Sequence, residues 1–357
     1  MKILYKNNQF PVLQNKLYEN AQEAFECNTG DILIAENEKT GLIYNYSFDP
    51  KLIVYDENYD NEQGYSVIFN NHLDKVANLI EASIGKLDLV EVGCGKGFFL
   101  EMLLNRGFDV VGIDPAYNGK NERIIKKHFT PSVFPKKAKG IILRHVLEHI
   151  QNPYNFLCQL RDANKGSGLI YIEVPCFDWI LNKKAWFDLF YEHVNYFRLN
   201  DFDRMFKRVI TKGHFFGDQY LYVVADLSSL QEPIFDQSHS INCSFSFDQE
   251  LNFENIKKNK LSKKTICVWG AASKGVIFSL LLKRANLSVD FVVDINPAKQ
   301  EKFLPLTGLK VISPAQFLSE NQTDTIIYIM NSNYFTEIKK ITKNKFKYIL
   351  IDQEKIT

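Results

Sequence analysis

The 357-residue sequence carries 43 basic and 42 acidic residues, a formal net charge of +1, and its 45% hydrophobic and 24% charged content is that of an ordinary globular protein. With no basic surplus there is no electrostatic grip on a phosphate backbone, which argues against nucleic acid as a partner. No apolar run is long enough for a bilayer, the opening M-K-I-L-Y-K-N-N-Q-F is too polar for a secretory signal, and the six cysteines are scattered without a C-x-x-C pair, so the expected compartment is a reducing, bacterial cytoplasm.

Residues 1–70 hold short apolar runs at 31–35 and 42–46, then the acidic, Asn-rich stretch 55–64, and are expected to form a small irregular β-containing domain. A helical pattern runs over 65–83, with Val67, Ile68, His72, Leu73, Val76, Leu79 and Ile80 on one stripe. Strands are then predicted at 89–93, 109–114, 140–146 and 168–175, with helices at 98–105 and up to Leu160. Short, continuously apolar strands separated by helices indicate a parallel sheet covered on both faces. A second series follows the polar stretch 228–260, with strands at 265–270, 289–294, 309–312, 325–330 and 348–352 and helices at 273–284 and 334–343. The expected organisation is a small domain (1–70), a cofactor-binding α/β domain (71–235) and a second Rossmann-like α/β domain (236–357).

The most informative segment is E-V-G-C-G-K-G, residues 91–97, followed by Asp114 at the end of the next strand. Gly93, Gly95 and Gly97 let the backbone turn sharply beneath a ligand, and Asp114 is placed to accept the hydroxyls of a ribose. The spacing is G-x-G-x-G rather than the dinucleotide G-x-G-x-x-G, and Glu91 is suited to a cationic group rather than a pyrophosphate. S-adenosylmethionine therefore fits better than NAD. The stretch I-I-L-R-H-V-L-E-H-I at 141–150 ends the fourth-strand position and offers Arg144 and His145 to the same pocket.

Four blocks resemble the S-adenosylmethionine-dependent C-methyltransferases that act on nucleotide-linked deoxysugars. They are E-V-G-C-G-K-G-F-F-L (91–100), R-H-V-L-E-H-I (144–150), I-E-V-P-C-F-D-W-I with F-Y-E-H-V-N-Y-F (172–197), and V-W-G-A-A-S-K-G with V-D-I-N-P-A-K-Q (268–300). The resemblance implies a class I methyltransferase Rossmann-like domain, a C-terminal Rossmann-like domain and a nucleotide-sugar substrate. Members of that family begin with a zinc domain built on two Cys-x-x-Cys pairs. Here Asn37 and Thr40 stand where cysteines would be and Cys27 is alone, so no zinc is expected.

In the segment F-D-L-F-Y-E-H-V-N-Y-F at 187–197, His193 matches the family's proposed general base; its unperturbed pKa of about 6.5 suits proton removal near neutrality. Glu192 is expected to orient it or its neighbours, and Tyr191 or Tyr196 to donate to an enolate oxygen. The competing expectation is a histidine packed among aromatics in a half-buried helix. His145-Val146-Leu147-Glu148-His149 matches the H-x-x-E-H zinc pattern, with both histidines on one helix face, but no third ligand suggests itself and no metal is expected. Gln219 and Tyr220 are candidates for substrate contact or for a plain edge hairpin after Gly217-Asp218; His214 stands near them. In the C-terminal series, G-A-A-S-K-G at 270–275 opens a helix where backbone N–H groups and Lys274 suit phosphate, and Asp294 occupies a ribose-acid position. C-methylation leads; O-methylation of a sugar or glycan precursor and a non-catalytic S-adenosylmethionine-binding scaffold are the alternatives.

Overall fold

The computed structural model describes residues 1–54, 62–135, 137–241, 253–320 and 324–353, so Cys243 and parts of the 55–64 and 228–260 stretches lie outside the described residues. Three sheets organise them. The first is antiparallel, built from β1 (Lys2–Pro11), β2 (Thr29–Glu36) and β3 (Ile43–Asn45), with the short helix α1 (Ala21–Phe25) between β1 and β2. Its fourth strand, β9 (Asn195–Tyr196), comes from much later in the chain and pairs Ile43 with Tyr196. The first domain is thus completed by the segment that carries His193.

The second sheet has seven strands. Helix α2 (Val67–Ser83) precedes it, starting where the Ser66 hydroxyl accepts from the Phe69 N–H, and buries Phe69, His72, Leu73, Val76, Ala77 and Ile80 on one stripe. There follow β4 (Leu89–Val92), α3 (Phe98–Asn105), β5 (Val110–Ile113), β6 (Ile124–Ile125), β7 (Gly140–Arg144), α4 (Pro153–Ala163) and β8 (Leu169–Pro175). Beyond α5 (Phe177–Asn182) and α6 (Leu199–Met205), the hairpin β10 (Val209–Phe215) and β11 (Tyr220–Asp226) completes the edge. The order is β10-β11-β8-β7-β4-β5-β6, parallel except where β11 runs antiparallel to β8 and β10. All four residues of β4 are buried, as expected of a central strand covered on both faces. This is the class I methyltransferase α/β fold.

The third sheet is fully parallel, in the order β14-β13-β12-β15-β16. Its elements are α7 (Glu254–Leu261), β12 (Thr265–Trp269), α8 (Ser273–Arg284), β13 (Phe291–Val293), β14 (Val311–Ile312), α9 (Pro314–Ser319), β15 (Thr325–Ile329), α10 (Phe335–Ile341) and β16 (Lys347–Leu350). It docks on the second through Trp186 stacked on Phe278 at 6.0 Å, Ser66 Oγ donating to Glu337 at 2.6 Å, and Asn333 Nδ2 donating to the Phe216 carbonyl at 2.7 Å. The second and third sheets turn the carboxyl ends of β4 and β12 toward one shared cavity, lined by Gly93 and Gly270.

Candidate active site

The strand β4 delivers Glu91 to the floor of a cavity of about 330 Å³, within the size range of small-molecule sites. Gly93, Gly95 and Gly97 all have positive φ, and a Cβ on Gly93 would lie 2.3 Å from Val146 Cγ2, so this turn requires glycine. Gly97 caps α3 without a side-chain hydrogen bond. Asp114 braces the loop: its Oδ2 accepts from Gly95 N–H and its Oδ1 from Ala116 N–H, both at 2.8 Å. A carboxylate has about four acceptor sites, so two remain for a diol. Glu91 is only 2% exposed, and its Oε2 has no hydrogen-bond partner among the described residues. Burial pushes its carboxyl up to about 7, against the pull of Arg144. An orphaned carboxylate oxygen at the cavity floor is what the ammonium of a methionyl group would satisfy, so the residues present fit S-adenosylmethionine.

Behind this floor lies a buried charge network centred on Glu173. Arg144 Nη2, His72 Nε2 and His145 Nε2 approach Glu173 Oε1 at 3.2, 3.2 and 3.3 Å, and Tyr171 donates to Oε2 at 2.7 Å. Burial alone would raise the Glu173 carboxyl; Arg144 and the two histidines outweigh it and hold it well below the usual range. Arg144 also lies over the Phe99 ring at 4.5 Å. It shapes the pocket wall as a locked strut. His145 has a left-handed backbone (φ 53°) and lies 3.3 Å from Glu148; burial would lower its pKa, but Glu148 and Glu173 raise it to about 9, so the ring is cationic at neutral pH.

The expected helix through 145–149 is absent. β7 ends at Arg144, and a single 3-10 turn covers Leu147–His149, so His145 and His149 do not share a helix face. Nor is the segment 187–197 a half-buried helix: a 3-10 turn at Trp186–Asp188 leads through irregular chain to β9. This path brings His193 into the cavity beside Glu148, His149 and Phe190. Its ring lies 4.9 Å from His149 and 4.8 Å from Phe190. Desolvation, then the neighbouring His149, His145 and Lys274, hold its pKa well below the ordinary value. His193 is therefore a neutral acceptor at pH 7.

The side chains flanking it point elsewhere. Tyr191 is buried, and its hydroxyl accepts from Asp49 N–H at 2.8 Å. Tyr196 donates to the Phe190 carbonyl and accepts from the Phe190 N–H, at 2.9 and 3.1 Å. Neither tyrosine lines the cavity, so both hydroxyls hold the turn rather than face a substrate. Glu192 also lies outside the lining; its Oε1 accepts from Gln14 N–H at 3.3 Å and its Oε2 lies 3.8 Å from His149 Nδ1. The same Nδ1 lies 3.0 Å from the Glu192 carbonyl and so carries the proton. Glu192 fixes His149, the neighbour of the base.

Among the described residues, ligand atoms of Glu148, His149 and His193 lie within 4.8 Å of one another, with His145 of the H-x-x-E-H pattern outside the group. The long return from β8 creates this proximity, which no sequence spacing encodes. Gln219 and Tyr220 both line the cavity; Gln219 Oε1 accepts from Asn331 Nδ2 at 2.7 Å and Tyr220 packs on His145 at 4.6 Å. They nonetheless belong to the β10–β11 hairpin, as the alternative expectation had it. His214 lies within β10 and does not line the cavity. Lys274 reaches the wall but is committed, with Nζ 3.1 Å from Asp188 Oδ2 and 4.8 Å from the Trp179 ring centre. Asp188 and Asn331 were missed by sequence reasoning, because their contacts with Lys274 and Gln219 join elements far apart in the chain.

Two family patterns match the chain: a methyltransferase domain over residues 27–209 and a C-methyltransferase C-terminal domain over residues 248–348. The C-methyltransferase NovU of Streptomyces niveus is 23% identical over 321 residues, covering 78% of this chain and 76% of that protein. A tRNA U34 carboxymethyltransferase of Azotobacter vinelandii is 27% identical over 105 residues, 25% of this chain and 33% of its own length. Among solved structures, the 1,6-didemethyltoxoflavin-N1-methyltransferase of Burkholderia thailandensis has a TM-score of 0.34 at 13% identity, covering 45% of this chain and 80% of that one. A methyltransferase from Mesorhizobium loti has a TM-score of 0.35 at 14% identity, covering 44% and 99%.

Proposed function

Because the chain belongs to the methyltransferase-domain family and its residues 248–348 match a C-methyltransferase C-terminal domain, we propose that it is an S-adenosylmethionine-dependent C-methyltransferase that methylates a carbon next to the carbonyl of a nucleotide-linked keto-deoxysugar, with His193 as general base. The observation that carries this is the placing of a neutral His193 in the same cavity as Glu91 and the glycine loop. S-adenosylmethionine supplies an electrophilic methyl group when bound. Glu91 holds its cationic end, Asp114 its ribose, and the glycine turn lets the backbone approach.

The chain's part in the reaction is to take one proton and to shelter the charge that develops. His193 accepts the proton from the acidic carbon, and the C–H electron pair becomes the nucleophile toward the methyl group. Cationic His145 favours the developing enolate oxygen and at the same time keeps His193 deprotonated. Tyr191, Tyr196 and Glu192 position the base and its neighbour and do not touch the substrate.

The test is hydrogen exchange without methyl transfer. Incubated in D2O with the demethylated cofactor, the wild type should wash deuterium into the carbon beside the carbonyl of a nucleotide keto-sugar, and His193→Gln should not, while both bind the cofactor equally. A methyl ether product with no exchange would overturn carbon attack. Full turnover in His193→Gln would overturn the base assignment.

A further inference from the structure

We propose that Glu148 selects the substrate: its carboxylate takes a free hydroxyl on the carbon that loses its proton or on the carbon next to it. The inference rests on the keto-sugar substrate and the base proposed above, and it names the group that makes the site prefer a hydroxylated ring to a deoxygenated one. Glu148 lines the cavity and is only 1% exposed. Neither of its carboxylate oxygens has a hydrogen-bond partner among the described residues; Oε1 has an ion-pair neighbour, His145 Nδ1, at 3.3 Å. A buried carboxylate oxygen without a donor is costly, and in a cavity wall it is accounted for by a donor that arrives with the ligand.

The neighbouring charges decide the kind of donor. Arg144 Nη2 and His145 Nε2 lie 3.2 and 3.3 Å from Glu173 Oε1, and the other nitrogen of His145 faces Glu148. Against burial, which would lower its pKa, Glu148 and Glu173 raise His145 to about 9, so its ring is a cation at neutral pH. Two carboxylates, Glu148 and Glu173, are thus matched by two cations, Arg144 and His145. An ammonium would bring a third cation with no carboxylate left to offset it. A sugar hydroxyl, a neutral donor, satisfies the open oxygen and leaves that balance undisturbed.

The place of Glu148 beside the base decides which hydroxyl. The 3-10 turn at Leu147–His149 buries Leu147 in the core and sets Glu148 on the cavity wall. Ligand atoms of Glu148 and His193 lie within 4.8 Å of each other. Two substituents on one sugar carbon, or on adjacent carbons, meet acceptors at such a spacing together. Orienting His145 engages Oε1 alone, which leaves Oε2 for the ligand. A site that holds a substrate hydroxyl through a buried carboxylate rejects the deoxy analogue, because the carboxylate oxygen is then both dry and unpaired.

Rates of methyl transfer by the full chain to thymidine-diphosphate 4-keto-6-deoxyglucose and to its 2-deoxy and 3-deoxy analogues test this. In the wild type, loss of the recognised hydroxyl should lower kcat/KM about 100-fold; in Glu148→Ala the same pair should differ by less than about fivefold. Glu148→Gln, which keeps an acceptor oxygen, should retain part of the preference. Calorimetry with S-adenosylhomocysteine should give one affinity for all three proteins, which separates lost selectivity from lost folding. A wild type indifferent to both hydroxyls overturns the proposal, as does a Glu148→Ala enzyme slowed on all three substrates with the wild-type preference intact, the mark of a residue acting only through His145. Loss of S-adenosylhomocysteine binding in both variants overturns it too. In each of these cases deuterium washout by the wild type keeps the keto-sugar reading standing. A wild type that neither methylates nor exchanges any of the three sugars overturns that reading and this proposal with it.

Discussion

Glu91 gives the most demanding quantitative prediction. Its carboxyl is buried, its Oε2 has no partner among the described residues, and burial pushes its pKa up to about 7 from an ordinary 4.5. Between those values the folded protein holds a proton that the unfolded chain has released, so stability attributable to this group falls as pH rises from 4.5 to 7. At pH 8 the buried carboxylate destabilises the cofactor-free protein by about 3 kcal/mol, taking about 1.4 kcal/mol for each unit between 4.5 and about 7. Glu91→Gln removes that cost and should raise the urea midpoint of the cofactor-free protein at pH 8, with little effect at pH 4.5. Cofactor binding has the opposite dependence, because the ammonium needs the ionised carboxylate. The dissociation constant for S-adenosylhomocysteine, measured by calorimetry, should rise roughly tenfold per pH unit below about 7. In Glu91→Gln the constant should be high and independent of pH. A wild-type affinity flat between pH 5.5 and 8, or a Glu91→Gln protein less stable than wild type at pH 8, would refute the assignment of Glu91 as the buried cation receptor.

The base, by contrast, should not titrate near neutrality. With the pKa of His193 depressed, kcat at saturating cofactor should stay level from pH 8 to below 6.5 and fall only beyond that; an acid limb above 6.5 would contradict a desolvated, cation-flanked imidazole. Zinc at micromolar concentration should inhibit reversibly by capturing Glu148, His149 and His193 together, and His149→Ala should relieve that inhibition; insensitivity to zinc would mean that the ligand atoms cannot converge. Lys274→Ala strands Asp188 in the domain interface and should cost about 3–5 kcal/mol in denaturant titrations, whereas pairing Lys274→Met with Asp188→Asn should recover most of it. Asn45→Ala frees the turn that carries the base, so kcat should fall while the dissociation constant of S-adenosylhomocysteine stays the same; a change in cofactor affinity alone would point to a different role for that turn.

What was legible in the sequence follows from range. The glycine loop, Asp114 and the parallel strands depend on local periodicity and on backbone demands that leave a mark within a few residues, and the structure has β4, β5, β7, β8, β12 and β15 near where the apolar runs predict them. The return path over 187–197 has no such mark. Its aromatic residues satisfy both a helical stripe and an irregular buried segment, and only pairing with distant strands decides between them. Lys274 was legible as a cation at a helix start but not as the partner of Asp188, since the contact that commits it is made across a domain boundary.

The first sheet bears on catalysis through the same return path. Asn37 closes the end of the first sheet with its side chain: Oδ1 accepts from Lys39 N–H and Thr40 N–H at 2.9 and 3.0 Å, and the backbone adds Gly41 N–H to Asn37 O at 2.7 Å. The sheet so closed presents β3 to β9, and Asn45 at its end ties Leu33, Ser47 and the Tyr191 carbonyl together while its own N–H donates to Val194 O. Asp49 N–H and Gln14 N–H take the Tyr191 hydroxyl and the Glu192 carboxylate. The residues on either side of His193 are therefore held by the first domain, and those it faces belong to the second. The turn at Asn37 closes the sheet through hydrogen bonds, and that sheet carries the clamp on the base.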